Sequence, residues 1–331
     1  MPAVQPSVLT SALIDAIHDS GCSVVLVSPL RQHPRRFIVS NPDGTSLSLW
    51  IYAWTLTPGG RPSLPHEYRI QMTSVKSPLR LNAGGSTVLI GFEPNLKVFA
   101  GFDLERHGAF TPGSPSVQID IRTIQQALQD GLAFDRKANN EIAVGVRPDQ
   151  FVAYVYNASD LHRYGRQATT FGLLERASSL KRIREDEIAP LTAKRRRIVQ
   201  TISRLSRAGN FRQQVMQAYA YRCAITRMQL KLVEAAHIVP VDAPGSSDDV
   251  RNGIALSPTY HRAYDNGLIY LDENHVMQIN PAIESDLAKL KLDHGLDDFK
   301  APLGRIFLPP DRRQWPGKQF IERANRLRQI K

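Results

Sequence analysis

The chain has few cysteines. Cys22 and Cys223 are the only two among its 331 residues, and they lie far apart. That excludes a disulfide framework, and with no CxxC pair a cysteine-based zinc knuckle is excluded as well. Long apolar runs are missing too: none approaches the roughly 18 residues that a membrane-spanning helix needs. Met1 to Asp19 lacks the basic start and apolar core of a secretion signal. The expectation is a soluble, cytoplasmic protein with no membrane partner. Acid is scarce relative to base, with 31 Asp and Glu against 42 Lys and Arg, for a net charge of +11. A surplus of that size points to a polyanionic partner, nucleic acid first. With 42% hydrophobic and 22% charged residues, the composition excludes a disordered or fibrous chain. At about 150 residues per domain, the length suggests two domains.

The positive charge is uneven. Residues 181 to 212 contain ten Lys and Arg, including the run Arg195, Arg196 and Arg197, against Glu185, Asp186 and Glu187. Before this stretch the pattern is mixed α and β. Leu9, Leu13 and Ile17 mark a short amphipathic helix stopped by Gly21. Ser23–Val27 and Phe37–Val39 read as strands, and Asn41-Pro42-Asp43-Gly44 as a turn. Ser46–Trp54 reads as a strand with Leu47, Leu49, Ile51 and Ala53 on one face. Thr87–Phe92 and Lys97–Phe102 form a predicted hairpin, and Val117–Ile121 a further strand. Helices are expected over Thr123–Gln129 and from Pro148 to Leu161. Helical stripes follow at Ile198, Ile202 and Leu205, then at Phe211, Val215 and Ala218. The expected class is α+β, in three parts: a β-rich domain over 1–165, a basic helical linker over 166–210 and a second domain over 211–331.

The chemistry-bearing residues fall in the last part. His237 lies in Glu234-Ala235-Ala236-His237-Ile238-Val239-Pro240. Asn252 follows by fifteen positions, His261 by nine more, and Asp265 by four more. An i, i+4 pair shares one helix face, so His261 and Asp265 can address one cation together. With Cys223-Ala224-Ile225-Thr226 and the stretch Asn252 to Ile269, this segment resembles the HNH endonuclease family and its ββα-metal core. The resemblance covers about 211 to 275. It implies His237 as general base, His261 and Asp265 as metal ligands, and Asn252 as the brace that orients the base, so that His237, Asn252 and His261 form the catalytic set. Cys223 reads as a small buried residue.

One departure stands out. Many family members carry a metal-binding Asp or His directly before the general base, where this chain has Ala236. Two protein ligands suit Mg²⁺, or Mn²⁺, which keep several waters, better than Zn²⁺. Glu234 is a weak third candidate, because in a strand it shares a face with Ala236 rather than with His237.

A bare ββα-metal motif carries little sequence information, so target choice is expected from the first 165 residues. Arg61, Arg69 and Gln71 are the candidate base-reading residues there, with Arg31, Arg35 and Arg36 as a second basic cluster and Trp50 and Trp54 as core. Arg195, Arg196, Arg197, Arg222, Arg251 and Arg262 are candidate phosphate contacts. The layout is similar to restriction endonucleases, including modification-dependent ones acting on double-stranded DNA. One HNH site cuts one strand, so double-strand cleavage implies a homodimer or two sequential nicks. The competing readings are a DNA-binding regulator with an inactive HNH site and an RNA- or structure-specific nuclease.

Overall fold

A computed structural model describes residues 3–111, 113 and 115–330. The chain forms two compact units, up to Gly209 and from Asn210 onward.

The first unit is built on ten strands: β1 (Ser23–Leu26), β2 (Arg35–Ser40), β3 (Ser46–Thr55), β4 (Thr57–Pro58), β5 (Glu67–Gln71), β6 (Ser86–Glu93), β7 (Val98–Phe102), β8 (Ser116–Asp120), β9 (Leu132–Arg136) and β10 (Ile142–Val146). Seven of them make one sheet in the order β1-β2-β3-β6-β7-β10-β9. β3 and β6 run parallel, while the other neighbours are antiparallel. Strand alternation sorts the side chains onto two faces. Leu49, Ile51, Ala53, Val88 and Ile90 join one core with the helices Pro6–Asp19, Phe151–Gly165 and Ala168–Ser178. Tyr52, Trp54 and Leu89 join a second core, closed by the sheet β4-β5-β8 and the helix Ile121–Asp130. The sheet is therefore covered on both sides. This is why β3 and β6 read as near-continuous apolar runs. At Gly101 a Cβ would overlap the Tyr154 ring, so only glycine lets the helix Phe151–Gly165 approach β7.

Two expectations change here. Residues 166–209 do not form a separate linker: Leu173, Leu174, Ile188, Leu191, Ile198 and Ile202 pack in the first core. The unit boundary falls inside the helix Ala193–Ala218. Arg35 is buried and structural, donating from Nε to Thr10 Oγ1 at 3.0 Å and from Nη1 to the Ala53 carbonyl at 3.2 Å. Trp54 is core as expected, whereas half-buried Trp50 carries the Arg36 guanidinium 4.5 Å over its ring.

The second unit centres on β11 (Glu234–His237) paired antiparallel with β12 (Gly253–Leu256), followed by the helix Pro258–Asp265. Pro258 starts that helix, where its missing N–H costs nothing. Asn266 and Gly267, the latter at φ +72°, end it. Phe211, Val215, Cys223, Ile238, Ile254, Leu256, Tyr264 and Ile321 form the core beneath. Cys223 is a buried free thiol, as its surroundings predict. Among the described residues, no helix is long and apolar enough to cross a membrane.

Candidate functional site

The strand pair fixes where the polar residues stand. His237, the last residue of β11, pairs with Gly253, the first of β12. A Cβ at Gly253 would overlap the Val215 Cγ2 methyl and press on the Phe211 ring. Its absence lets Phe211 lie flat on the His237 imidazole, with ring centroids 3.7 Å apart and planes 15° from parallel.

His237 Nε2 stands 3.3 Å from Asp248 Oδ1. A carboxylate can only accept, so Nε2 carries the proton and Nδ1 keeps the basic lone pair. Burial pushes the His237 pKa below its ordinary value, and the charge of His261 adds to this, against the opposing pull of Asp248 and Asp265. His237 is therefore neutral near pH 7.

Asn252 is fully buried behind the strand pair. Its Oδ1 accepts the Val239 N–H at 2.9 Å and its Nδ2 donates to the Ser247 carbonyl at 2.9 Å. One amide thus holds both ends of the loop that leaves His237 and carries Asp248. Among the described residues, no hydrogen bond joins Asn252 to His237. Arg328, which sequence reasoning missed, adds a second clamp: Nη1 donates to the Ile238 carbonyl at 3.2 Å while the guanidinium lies 4.3 Å over the Tyr264 ring.

His261 and Asp265 lie one turn apart, with Nε2 and Oδ2 separated by 3.4 Å. The other ring nitrogen, Nδ1, donates to Glu234 Oε2 at 2.7 Å. Burial disfavours the His261 charge, but the Glu234 bond and the Asp265 and Glu234 charges outweigh it and raise its pKa above the ordinary value. The His261 hydrogen bond lowers the Glu234 pKa in turn, with a further contribution from the Arg212 charge. Strand alternation left Glu234 a weak third-ligand candidate. Its carboxylate instead orients His261 from the outer side. Among the described residues, no group of three or more His, Cys, Asp or Glu stands in a metal-holding arrangement. The donors that fit a cation are His261 Nε2 and Asp265, with Glu234 fixing the ring as outer carboxylates do at metal-bound histidines. So sparse a set suits a hard cation that keeps most of its waters.

The candidate nucleic-acid contacts are scattered. Arg222 and Arg262 are exposed in the second unit, and exposed Arg251 is bidentate on Asp249. In the first unit, Arg195 donates to Thr170 Oγ1 at 2.7 Å and Arg196 to the Ala189 carbonyl at 2.8 Å, which leaves Arg197 exposed. Arg61 is ion-paired with Glu67. Arg69 and exposed Gln71 alternate with Ile70, a core residue, and so lie on the outward face of β5, across from Gln118 and Ser116 of β8. Phe211 and Asp248 were missed: one reads as core stripe, the other as loop.

Residues 223–272 match the HNH endonuclease family. Residues 47–155 match the family described as methylase-associated X1. Among solved structures, the chain is similar to one described as "Modification dependent TagI restriction endonuclease", at 13% identity over 83% of this chain and 80% of that one. The TM-score is 0.30, too low to carry any argument about this chain. No curated protein matches.

Proposed function

The second unit carries an HNH endonuclease domain, and from that premise we propose that the chain is a metal-dependent DNA endonuclease of the restriction type, acting in the cytoplasm on double-stranded DNA. The observation that carries this reading is the ordered set of His237, His261 and Asp265 on the β11–β12 pair and the helix after it. The methylase-associated match in the first unit supports the restriction reading, since a nuclease accompanied by a methylase is the pairing that separates marked from unmarked DNA.

The chemistry follows from the ring positions. His237 Nδ1 takes a proton from water as the water oxygen bonds to phosphorus and the bond from phosphorus to the 3′ oxygen breaks. Phe211 and Asp248 hold the imidazole in the plane and tautomer this requires. Asn252 keeps the loop under Asp248 in place. His261 Nε2 and Asp265 are the residues that would hold a divalent cation, Mg²⁺ or Mn²⁺. Such an ion supplies charge neutralisation at the phosphate and the leaving oxygen. One such site severs one strand, so two copies or two successive nicks are needed for a double-strand break.

The test is a cleavage panel with plasmid DNA, modified or unmodified at cytosine or adenine, and with the cation varied. Cutting that needs Mg²⁺ or Mn²⁺ is expected, and His237→Ala should lower its rate by about 10²–10⁴-fold while a gel shift shows DNA still bound. Binding without turnover under every condition would overturn the proposal.

A further inference from the structure

The first unit holds a cavity of about 360 Å³ between the loop before β5, the end of β8 and the end of β9. Its size falls within the roughly 300–1,000 Å³ typical of small-ligand sites. Leu64, His66, Gln118, Arg122, Asp135 and Lys137 are among its walls. The two cations are already matched: Arg122 is bidentate on Asp120, and Lys137 Nζ lies 3.0 Å from Glu141. An entering phosphate finds no spare positive charge here.

A hydrogen-bond donor finds a better match. Asp135 Oδ2 accepts the Asp120 N–H at 3.1 Å, and its other oxygen has no hydrogen-bond partner among the described residues. Burial pushes the Asp135 carboxyl above its ordinary range, so a donor at that oxygen is rewarded. Gln118 also lines the cavity, and Leu64, 46% exposed, offers an apolar flank on the loop. The same β5–β8 ribbon presents Arg69 and Gln71 outward.

We propose that this cavity receives one nucleobase turned out of the double helix, a base bearing an exocyclic amine (cytosine or adenine), with Asp135 accepting the amine N–H. Carboxylates read the cytosine amine in this way on intact DNA, and a turned-out base exposes its full pairing edge. The inference rests on the DNA-nuclease reading and deepens it by naming what the first unit holds.

The test is equilibrium binding of the full chain, with cations chelated so that nothing is cut, to duplexes carrying one unpaired dC, dA or dT and to a fully paired duplex. The dC and dA duplexes are expected to bind about tenfold more tightly than the dT duplex. Asp135→Asn keeps an oxygen for the Asp120 N–H and turns an amide N–H into the cavity, so it should move the preference toward dT, whose edge offers acceptors. Gln118→Ala, at another residue of the cavity wall, should weaken the original preference without touching the Asp120 contact. Equal affinity for all three unpaired bases, or a preference unmoved by Asp135→Asn in a protein that still melts cooperatively, overturns the cavity assignment. If the paired duplex is bound in that case, the nuclease reading stands. If no DNA is bound at all, both fall.

Discussion

The two histidines of the candidate site face opposite electrostatic settings. His237 is lowered by burial, while His261 is raised by two carboxylates. A base must be neutral to work, so cleavage should rise with pH through the His237 pKa and level off above it. Asp248 is the main group holding that pKa up. Asp248→Asn should therefore move the rising limb to lower pH while lowering the plateau rate, because the neutral amide is a weaker acceptor for the Nε2 proton and holds the tautomer less firmly. A limb that stays in place in a pH–rate profile counts against the assignment. Glu234→Gln weakens the acceptor behind His261, and the cation concentration for half-maximal cleavage should rise about 10–100-fold in a Mg²⁺ titration. His237, Asn252, His261 and Asp265 were legible because each sits in a local motif. Phe211 and Asp248 were not, since a ring stack and a loop carboxylate leave no periodic trace. The reach of Glu234 to His261 was not legible either. Alternation describes where a side chain starts, and a glutamate at a strand end reaches past its own face.

At the level of elements, the site depends on how closely the helix bearing Phe211 and Val215 approaches β12. Gly253 has φ −129°, a conformation any residue adopts, so its requirement is purely steric. Gly253→Ala should cost about 1–3 kcal/mol by overpacking against Val215. Thermal melting should show a lower Tm, and cleavage should fall further than the stability loss explains, because the Phe211–His237 stack is displaced. Wild-type activity at an unchanged Tm would refute this. Among the strands, β3, the β6–β7 hairpin and β8 were legible from apolar runs and turn residues. The parallel pairing of β3 with β6 and the pairing of β5 with β8 were not, because both join segments far apart in sequence. That Tyr52 is buried as well as Ile51 and Ala53 follows only once the second sheet is in place.

For the whole molecule, the charge surplus is less available than its count suggests. In the run Arg195–Arg197, two side chains are tied to their own unit and one is exposed. Affinity for duplex DNA should fall with salt at a log–log slope of about −0.9 per phosphate contact. Arg197→Ala should flatten that slope by about one contact, whereas Arg195→Ala should change stability and leave the slope alone. Binding titrations at several salt concentrations separate the two. The helix Ala193–Ala218 has one more consequence, for anyone building chimaeras. The HNH match begins at residue 223, which invites a splice just before it. A graft made there would carry His237, His261 and Asp265 but leave behind Phe211 and Val215, the residues packed around His237 and Gly253. The transplantable cassette starts at Asn210 or earlier, and a donor sequence that breaks this helix would deliver an intact motif without its support.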